Sequence, residues 1–185
     1  MRYELHRSNN IFWTLNRLLT SVLRMEFEYL NMMEENKPMI RQATTADASR
    51  IAEILIFTKR VNYRSIFCND KVSFGEMQVY PLAKRYIDNP QELDGIWVYD
   101  DEFVKGMIHI SENQVLELYV DSFFENQGIG SNLIKFAIEQ MHCDFLWVLE
   151  KNVKALRFYQ RHGFAISKEK KYQEGTSELI VKMNR

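Results

Sequence analysis

Asp121-Ser122-Phe123-Phe124-Glu125-Asn126-Gln127-Gly128-Ile129-Gly130-Ser131-Asn132-Leu133-Ile134 is the stretch on which the fold turns. Ahead of it, Val115, Leu116, Leu118, Tyr119 and Val120 are β-branched, aromatic or aliphatic, so residues 115–120 read as a strand. Behind it, Ile129, Leu133, Phe136, Ala137 and Gln140 recur at helical spacing, and Ile134 and Ile138 broaden the same face. Between strand and helix, Gly128 and Gly130 remove side chains that would hold a ligand off the backbone. The first helical turn leaves its amides without partners, and with the helix dipole these make a seat for phosphate or pyrophosphate. The same glycines also suit a tight strand-to-helix turn with no ligand, and this stretch alone leaves both readings open.

Toward the N-terminus, residues 95–99 and 104–111 flank a turn at Asp100-Asp101-Glu102, and Glu112-Asn113 lead into a strand over 114–120, an antiparallel meander. Residues 40–43 read as a short strand. Thr44 stands three positions before Asp47, the spacing of a capping box, and opens a helix with Ile51, Ile54, Leu55 and Thr58 on one face. Residues 63–75, with Asn69-Asp70 inside, read as a loop or short helix, and 76–87 as a second helix ended by Asn89-Pro90. Toward the C-terminus, residues 145–149 form an apolar run typical of a strand covered on both faces. A helix carrying Ala155, Leu156, Phe158 and Tyr159 follows Asn152 and stops at Gly163. Residues 164–172 and 177–183, joined through Glu174-Gly175, close as a hairpin. This order predicts an α/β (α+β) fold: a mixed, mostly antiparallel sheet of about seven strands with helices on both faces. Its parallel crossover runs from the strand ending at Val120 through the glycine-led helix to 145–149, and ligands favour the carboxyl ends of such strands.

The 185 residues, 46% hydrophobic and 13% aromatic, suit one globular domain with a substantial core. Residues 1–38 stand apart as an N-terminal, helical extension to a domain over 39–185. In it Ile11, Leu15, Leu18, Val22, Met25 and Tyr29 make a helical stripe, but Asn16, Arg17 and Arg24 interrupt any apolar run before membrane-spanning length. No unbroken apolar core or small-residue cleavage site marks a signal peptide. An extra packed helix, an amphipathic surface helix and an extension translated from an early start all remain open. A net charge of -1 offers no global basic field for nucleic acid. Cys68 and Cys143 lie far apart without metal-ligand spacing, which suits reduced thiols in a cytoplasmic protein. His109 falls mid-strand, while His142 and His162 at helix ends read as structural. No metal site and no Ser-His-Asp arrangement is expected.

Two motifs in order carry a family resemblance over residues 39–183. Leu118-Tyr119-Val120-Asp121, then Glu125-Asn126-Gln127-Gly128-Ile129-Gly130, is similar to the acetyl-CoA motif of the GCN5-related N-acetyltransferase (GNAT) superfamily, which has Gln or Arg, two variable residues, Gly, a variable residue, then Gly or Ala. Leu146-Trp147-Val148-Leu149-Glu150-Lys151-Asn152, with Ala155, Phe158-Tyr159 and Gly163-Phe164, resembles the second cofactor motif. The resemblance implies that the amides of Gln127, Gly128, Ile129, Gly130 and Ser131 hold the pyrophosphate of acetyl-CoA. Leu118, Tyr119 and Val120 would serve the pantetheine and acetyl carbonyl from the strand where its neighbours splay apart. Asn152 and Phe158 would contact the cofactor arm, and Tyr159 would give a proton to the departing thiolate. The chemistry implied is direct attack of a neutral amine on the thioester, so an ammonium ion must be dehydrated and deprotonated. Glu125 departs from the motif: a carboxylate stands where Gln or Arg would donate to phosphate, which throws the contacts onto Gln127 and the amides.

Glu117 lies in an otherwise apolar strand, where an unpaired carboxylate is costly. It is a candidate base or ammonium anchor, or else a strand-end carboxylate with solvent or a Lys partner; an acidic residue three before Val120 also resembles polyamine-type acetyltransferases. Glu150 is a second candidate base, with a cap or a salt bridge near Lys151 as the alternative. Tyr159 is either catalytic or simply core. Arg60, Tyr63, Arg64, Phe67 and Asp70 fall where similar proteins border the acceptor, though they equally suit an amphipathic helix end. The expected function is an acetyl-CoA-dependent N-acetyltransferase, an acyltransferase acting on a primary amine of a small molecule or peptide. The alternative is a non-catalytic, acyl-CoA-binding or regulatory module of the same fold. No nucleic-acid partner and no membrane span is expected, and a homodimer is left open.

Overall fold

The computed structural model describes residues 19–20, 22–26 and 39–185. The chain divides into two compact units, Met1–Pro38 and Met39–Arg185. In the first, residues 19–20 and 22–26 are helical. Val22 and Met25 of the expected stripe fall in that helix, whereas Ile11, Leu15, Leu18 and Tyr29 lie outside the described residues. Among the described residues no helix is long and apolar enough to cross a membrane.

The second unit begins with strand β1 (Ile40–Gln42) and a short 3-10 turn (Thr45–Asp47) that leads into helix α1 (Ala48–Phe67). The Thr44/Asp47 capping box forms as the spacing predicts. Asp47 Oδ2 accepts from the Thr44 amide and hydroxyl at 2.8 and 2.9 Å, and both carboxylate oxygens accept from the Arg41 guanidinium at 2.8 Å. That guanidinium holds the buried Asp47 carboxyl below the usual range. Helix α1 runs past residue 63, where a loop was a reading of the sequence. Tyr63 packs edge-on to Phe67 at 5.9 Å, and the chain stops at Cys68, whose φ of 49° is left-handed. The turn-forming Asn69-Asp70 thus lies beyond the helix and not inside it. A π-helical turn (Lys71–Glu76) intervenes, so helix α2 (Val79–Asp88) starts three residues later than the pattern suggests.

A 3-10 turn at Pro90–Leu93 precedes the meander β2 (Ile96–Asp101), β3 (Phe103–Ser111) and β4 (Gln114–Val120). Helix α3 (Ile129–Glu139), strand β5 (Phe145–Leu149), helix α4 (Val153–Arg161), β6 (Ala165–Tyr172) and β7 (Leu179–Asn184) complete the order. A short 3-10 turn at Ser122–Phe124, which the sequence reading lacked, lies between β4 and α3. The seven strands form one sheet in the order β1-β2-β3-β4-β5-β7-β6, with β4 and β5 parallel and the other neighbours antiparallel.

Helices lie on both faces. Ile51, Ile54 and Leu55 of α1 and Tyr86 of α2 pack with Ile96, Val98, Met107 and Tyr119. Leu133, Ile134 and Ala137 of α3 and Tyr159 of α4 pack with Ile108, Ile110, Val115, Leu146 and Val181 on the other side. Two features of β4 position the site. Its pairing with β5 is confined to Gln114↔Phe145 and Val115↔Leu146. Its pairing with β3 jumps from Ile110↔Val115 to His109↔Glu117, so Leu116 is an extra residue, a β-bulge. A bulge bends its strand and raises local twist, and here it stands where β4 leaves β5. The strands therefore fork, and the stretch from Leu116 to Val120 has no partner on its β5 side.

Candidate functional site

The fork opens into a cleft of about 830 Å3, walled by β4 and the start of α3 on one side and by β5 and α4 on the other. The end of α1, the π-helical turn and the β6–β7 hairpin close one end of it. Leu118 and Val120, half-buried, line it with backbone groups that β5 does not engage. Tyr119 points its side chain into the α1/α2 core, where its hydroxyl lies 3.2 Å from that of Tyr63.

The junction is braced from below. Arg50 of α1 donates to Asp121 at 2.6 Å and to the Val104 carbonyl at 2.9 Å, and Asp121 caps Phe123 N at 2.9 Å. Gly128, at φ 84°, reverses the chain into α3, which only a residue without a Cβ does at little cost. The amide of Asn132 is the first to bond back into the helix, to Gly128 O at 2.9 Å. The amides of Ile129, Gly130 and Ser131 precede it and have no intrahelical acceptor. A Cβ on Gly130 would lie 3.5 Å from the Phe158 ring and 3.6 Å from Val120, so its absence leaves a groove between strand and helix. Gly130 lines the cleft, as do Phe124, Glu125 and Asn126. Gln127 and Gly128 are exposed, Ser131 is half-buried, and the Ile129 side chain is buried in the core. Gln127 Nε2 only reaches the Phe123 carbonyl, at 3.4 Å. Glu125 pairs with Lys154 Nζ of α4 at 2.7 Å, so its charge meets a cation at the cleft.

On the opposite wall, Asn152 lines the cleft while its Oδ1 accepts from Ala155 N at 3.1 Å, capping α4. Phe158 and Tyr159 also line it. Tyr159 is buried between Phe158 and Phe164 at 5.2 and 6.0 Å, and its hydroxyl bonds to no described residue. Burial, and then the nearby Tyr63, push that hydroxyl well above the usual tyrosine range. Tyr63 and Tyr119 are likewise raised by burial.

The two candidate carboxylates part company. Glu117 lines the cleft and accepts from Lys59 Nζ of α1 at 2.8 Å, each side chain about a quarter exposed. Glu150 lies in the turn after β5, exposed, paired with Lys170 and absent from the cleft wall. Of the segment expected to border an acceptor, Tyr63 and Phe67 line the cleft. Arg60 is tied to the carbonyls of Ser73 and Met77 at 2.8 and 2.6 Å, and Arg64 pairs with Asp70 outside the cleft. Lys59 and Lys154 were not singled out in the sequence. A lysine one turn before Tyr63 carries no motif, and the register of α1 against β4 supplies the missing signal. No group of three or more metal-ligating side chains occurs among the described residues.

A family model described as an acetyltransferase (GNAT) domain matches residues 92–166. The fold is similar to that of the PaiA N-acetyltransferase from Thermoplasma acidophilum in complex with coenzyme A, with a TM-score of 0.61, 17% identity, and 79% of this chain and 98% of that one covered. It is similar to the ribosomal-protein-alanine N-acetyltransferase from Brucella melitensis, with a TM-score of 0.58, 20% identity, and 79% and 98% covered. YncA from Salmonella typhimurium, a putative acetyltransferase with its cofactor acetyl-CoA, gives a TM-score of 0.54, 18% identity, and 78% and 90% covered. No curated protein matches.

Proposed function

We propose that the chain, which a GNAT-domain family model matches over residues 92–166, is an N-acetyltransferase that moves the acetyl group of acetyl-CoA onto a primary amine. The observation that carries this reading is the fork itself: the unpaired β4 backbone, Gly130 in the open first turn of α3, and Tyr159 line one cleft. In this reading the amides of Ile129, Gly130 and Ser131 hold pyrophosphate. The β4 edge from Leu118 to Val120 takes the pantetheine amides, as an added strand would. Asn152, whose oxygen is committed to the helix cap, offers Nδ2 to the cofactor arm. Relatives solved with coenzyme A or acetyl-CoA support this donor.

The acceptor nitrogen must lose a proton before its lone pair forms the C–N bond, and of the carboxylates that line the cleft the reading assigns this role to Glu117, on β4 at the fork. As the C–S bond breaks, the electron pair goes to sulfur. Tyr159, protonated throughout the neutral range, donates a hydrogen bond to it. An ordinary thiol ionises at about pH 8.5, well below Tyr159, so stabilising the thiolate is the phenol's share of the work. Two free thiols, one of them exposed, are in keeping with a reducing, cytoplasmic setting.

The test is acetyl-CoA itself. At about a hundredfold excess over Kd it should raise Tm by on the order of 5–10 °C, and a panel of amines should then release free thiol. No rise would exclude the donor. A rise without thiol release would leave the rival reading, a module that binds acyl-CoA without turnover, for which Glu125 at the phosphate end is the motive.

A further inference from the structure

We infer that the acceptor is a small zwitterion of the α-amino acid type, a primary amine with a carboxylate one carbon away, seated on the Lys59–Glu117 pair. The inference rests on the transferase reading above and concerns the other end of the same cleft.

Among the described residues that line the cleft, the cations are Lys59 and Lys154, and the anions are Glu117, Glu125, Glu174 and Glu178. Three of these six charges have partners of their own: Lys154 pairs with Glu125, and Glu178 with Lys151. Arg60, the next cation along α1, is consumed by backbone carbonyls. Lys59–Glu117 is therefore the ion pair at the acceptor end, between Tyr63, Tyr119 and the fork. Lys59 Nζ lies 2.8 Å from Glu117 Oε1 and 5.8 Å from the centre of the Tyr119 ring. Both side chains also line a second cavity of about 680 Å3 between α1, α2 and β3, so the pair separates two hollows and does not face bulk water alone.

A pair in this position discriminates by charge balance. An acceptor bearing only an ammonium ion reaches Glu117 by pushing Lys59 aside, leaving a part-buried lysine without its anion beside a second cation. A zwitterion inserts between the two side chains instead. Its ammonium takes Glu117 and its carboxylate takes Lys59, so two ion pairs replace one and no charge is stranded. The chemistry then balances: the seated ammonium gives one proton to Glu117, nitrogen forms the C–N bond, sulfur leaves with the C–S electron pair and is protonated, and one proton per turnover reaches solvent.

The experiment uses the full chain. The acetyl-CoA-induced rise in Tm is recorded first, then initial rates of thiol release with matched sets of acceptors: several α-amino acids, their carboxamides, the corresponding amines lacking the carboxylate, and a polyamine. The amino acids should exceed their carboxamides and amines in kcat/KM by about tenfold or more, as expected where a site built for a charged group meets an analogue that lacks it. Lys59→Gln should erase that preference, and Lys59→Arg, which keeps the charge, should retain it. A polyamine or simple amine turned over as fast as the amino acids, a preference that survives Lys59→Gln, or a rise in Tm with no acceptor acetylated overturns the zwitterion and leaves acetyl-CoA binding standing. Absence of the Tm rise overturns the transferase reading and this inference with it.

Discussion

Tyr159 faces the cleft with a hydroxyl that burial keeps protonated and that no described residue engages, so its removal should leave folding nearly untouched. A hydrogen bond to a charged partner is worth about 1.5–3 kcal/mol. Tyr159→Phe should therefore lower kcat by about 10- to 100-fold while the acetyl-CoA-induced rise in Tm persists, as single-turnover kinetics and thermal shift would read separately. His109 makes a different prediction. It is the cross-strand neighbour of Glu117 and faces the second cavity with Lys59, Arg85, Tyr86 and Glu92. Burial lowers its pKa, and Glu117 opposes that only in part. The unfolded chain thus binds a proton at pH values where the folded one does not, and stability present above about pH 6.5 is lost as pH falls through that value. His109→Gln should flatten the Tm profile between about pH 7.5 and about 5.5, and an unchanged profile would remove His109 as its source. In the sequence the places of Tyr159, Asn152 and Gly130 beside the cleft were legible because local motifs carry them. Lys59 was not, since its partner lies 58 positions away and only the packing of α1 on β4 brings them together. Glu150 stood as a second candidate after Glu117 because it ends an apolar strand, yet it sits one residue past β5, where the chain has already turned outward.

At the scale of elements, periodicity located β4 and β5 to the residue, because an alternating or wholly apolar run ends where its burial ends. It misjudged the end of α1, where Tyr63 and Phe67 continue an amphipathic helix on tertiary contacts that a sequence window does not contain. The bend of β4 away from β5 was equally hidden, since an extra residue in a strand leaves no mark on composition. The meeting of β4 and α3 yields a prediction in which fold and ligand diverge. A methyl group on Gly130 would make ordinary contacts with Phe158 and Val120, and Ala is favoured over Gly within helices by up to about 1 kcal/mol. Gly130→Ala should keep or slightly raise Tm without ligand, yet fill the groove and cut the acetyl-CoA-induced shift by at least half. Equal shifts in the two proteins would show that the donor does not lie against this helix.

For the whole molecule, both core clusters, among the described residues, lie after Met39 and include both faces of the seven-stranded sheet. We propose that this unit is the acetyltransferase domain and that residues 1–38 are dispensable to it. A chain beginning at Met39 should fold and retain its acetyl-CoA-induced rise in Tm, as calorimetry with and without the donor would show; failure to fold would assign the extension a share of the core. The two faces also give Leu116 a significance beyond the fork. In an uninterrupted strand, residues two apart share a face, yet Val115 packs beneath α3 while Glu117 meets α1 on the other side. The inserted residue shifts the strand's alternation by one step, sending the carboxylate to one layer of the molecule and its apolar neighbour to the other. Phase, more than composition, decides which layer receives the charge: had residues 115–117 alternated regularly, with no bulge at Leu116, Glu117 would stand on the same side as Val115, and Lys59 would face the sheet without its anion.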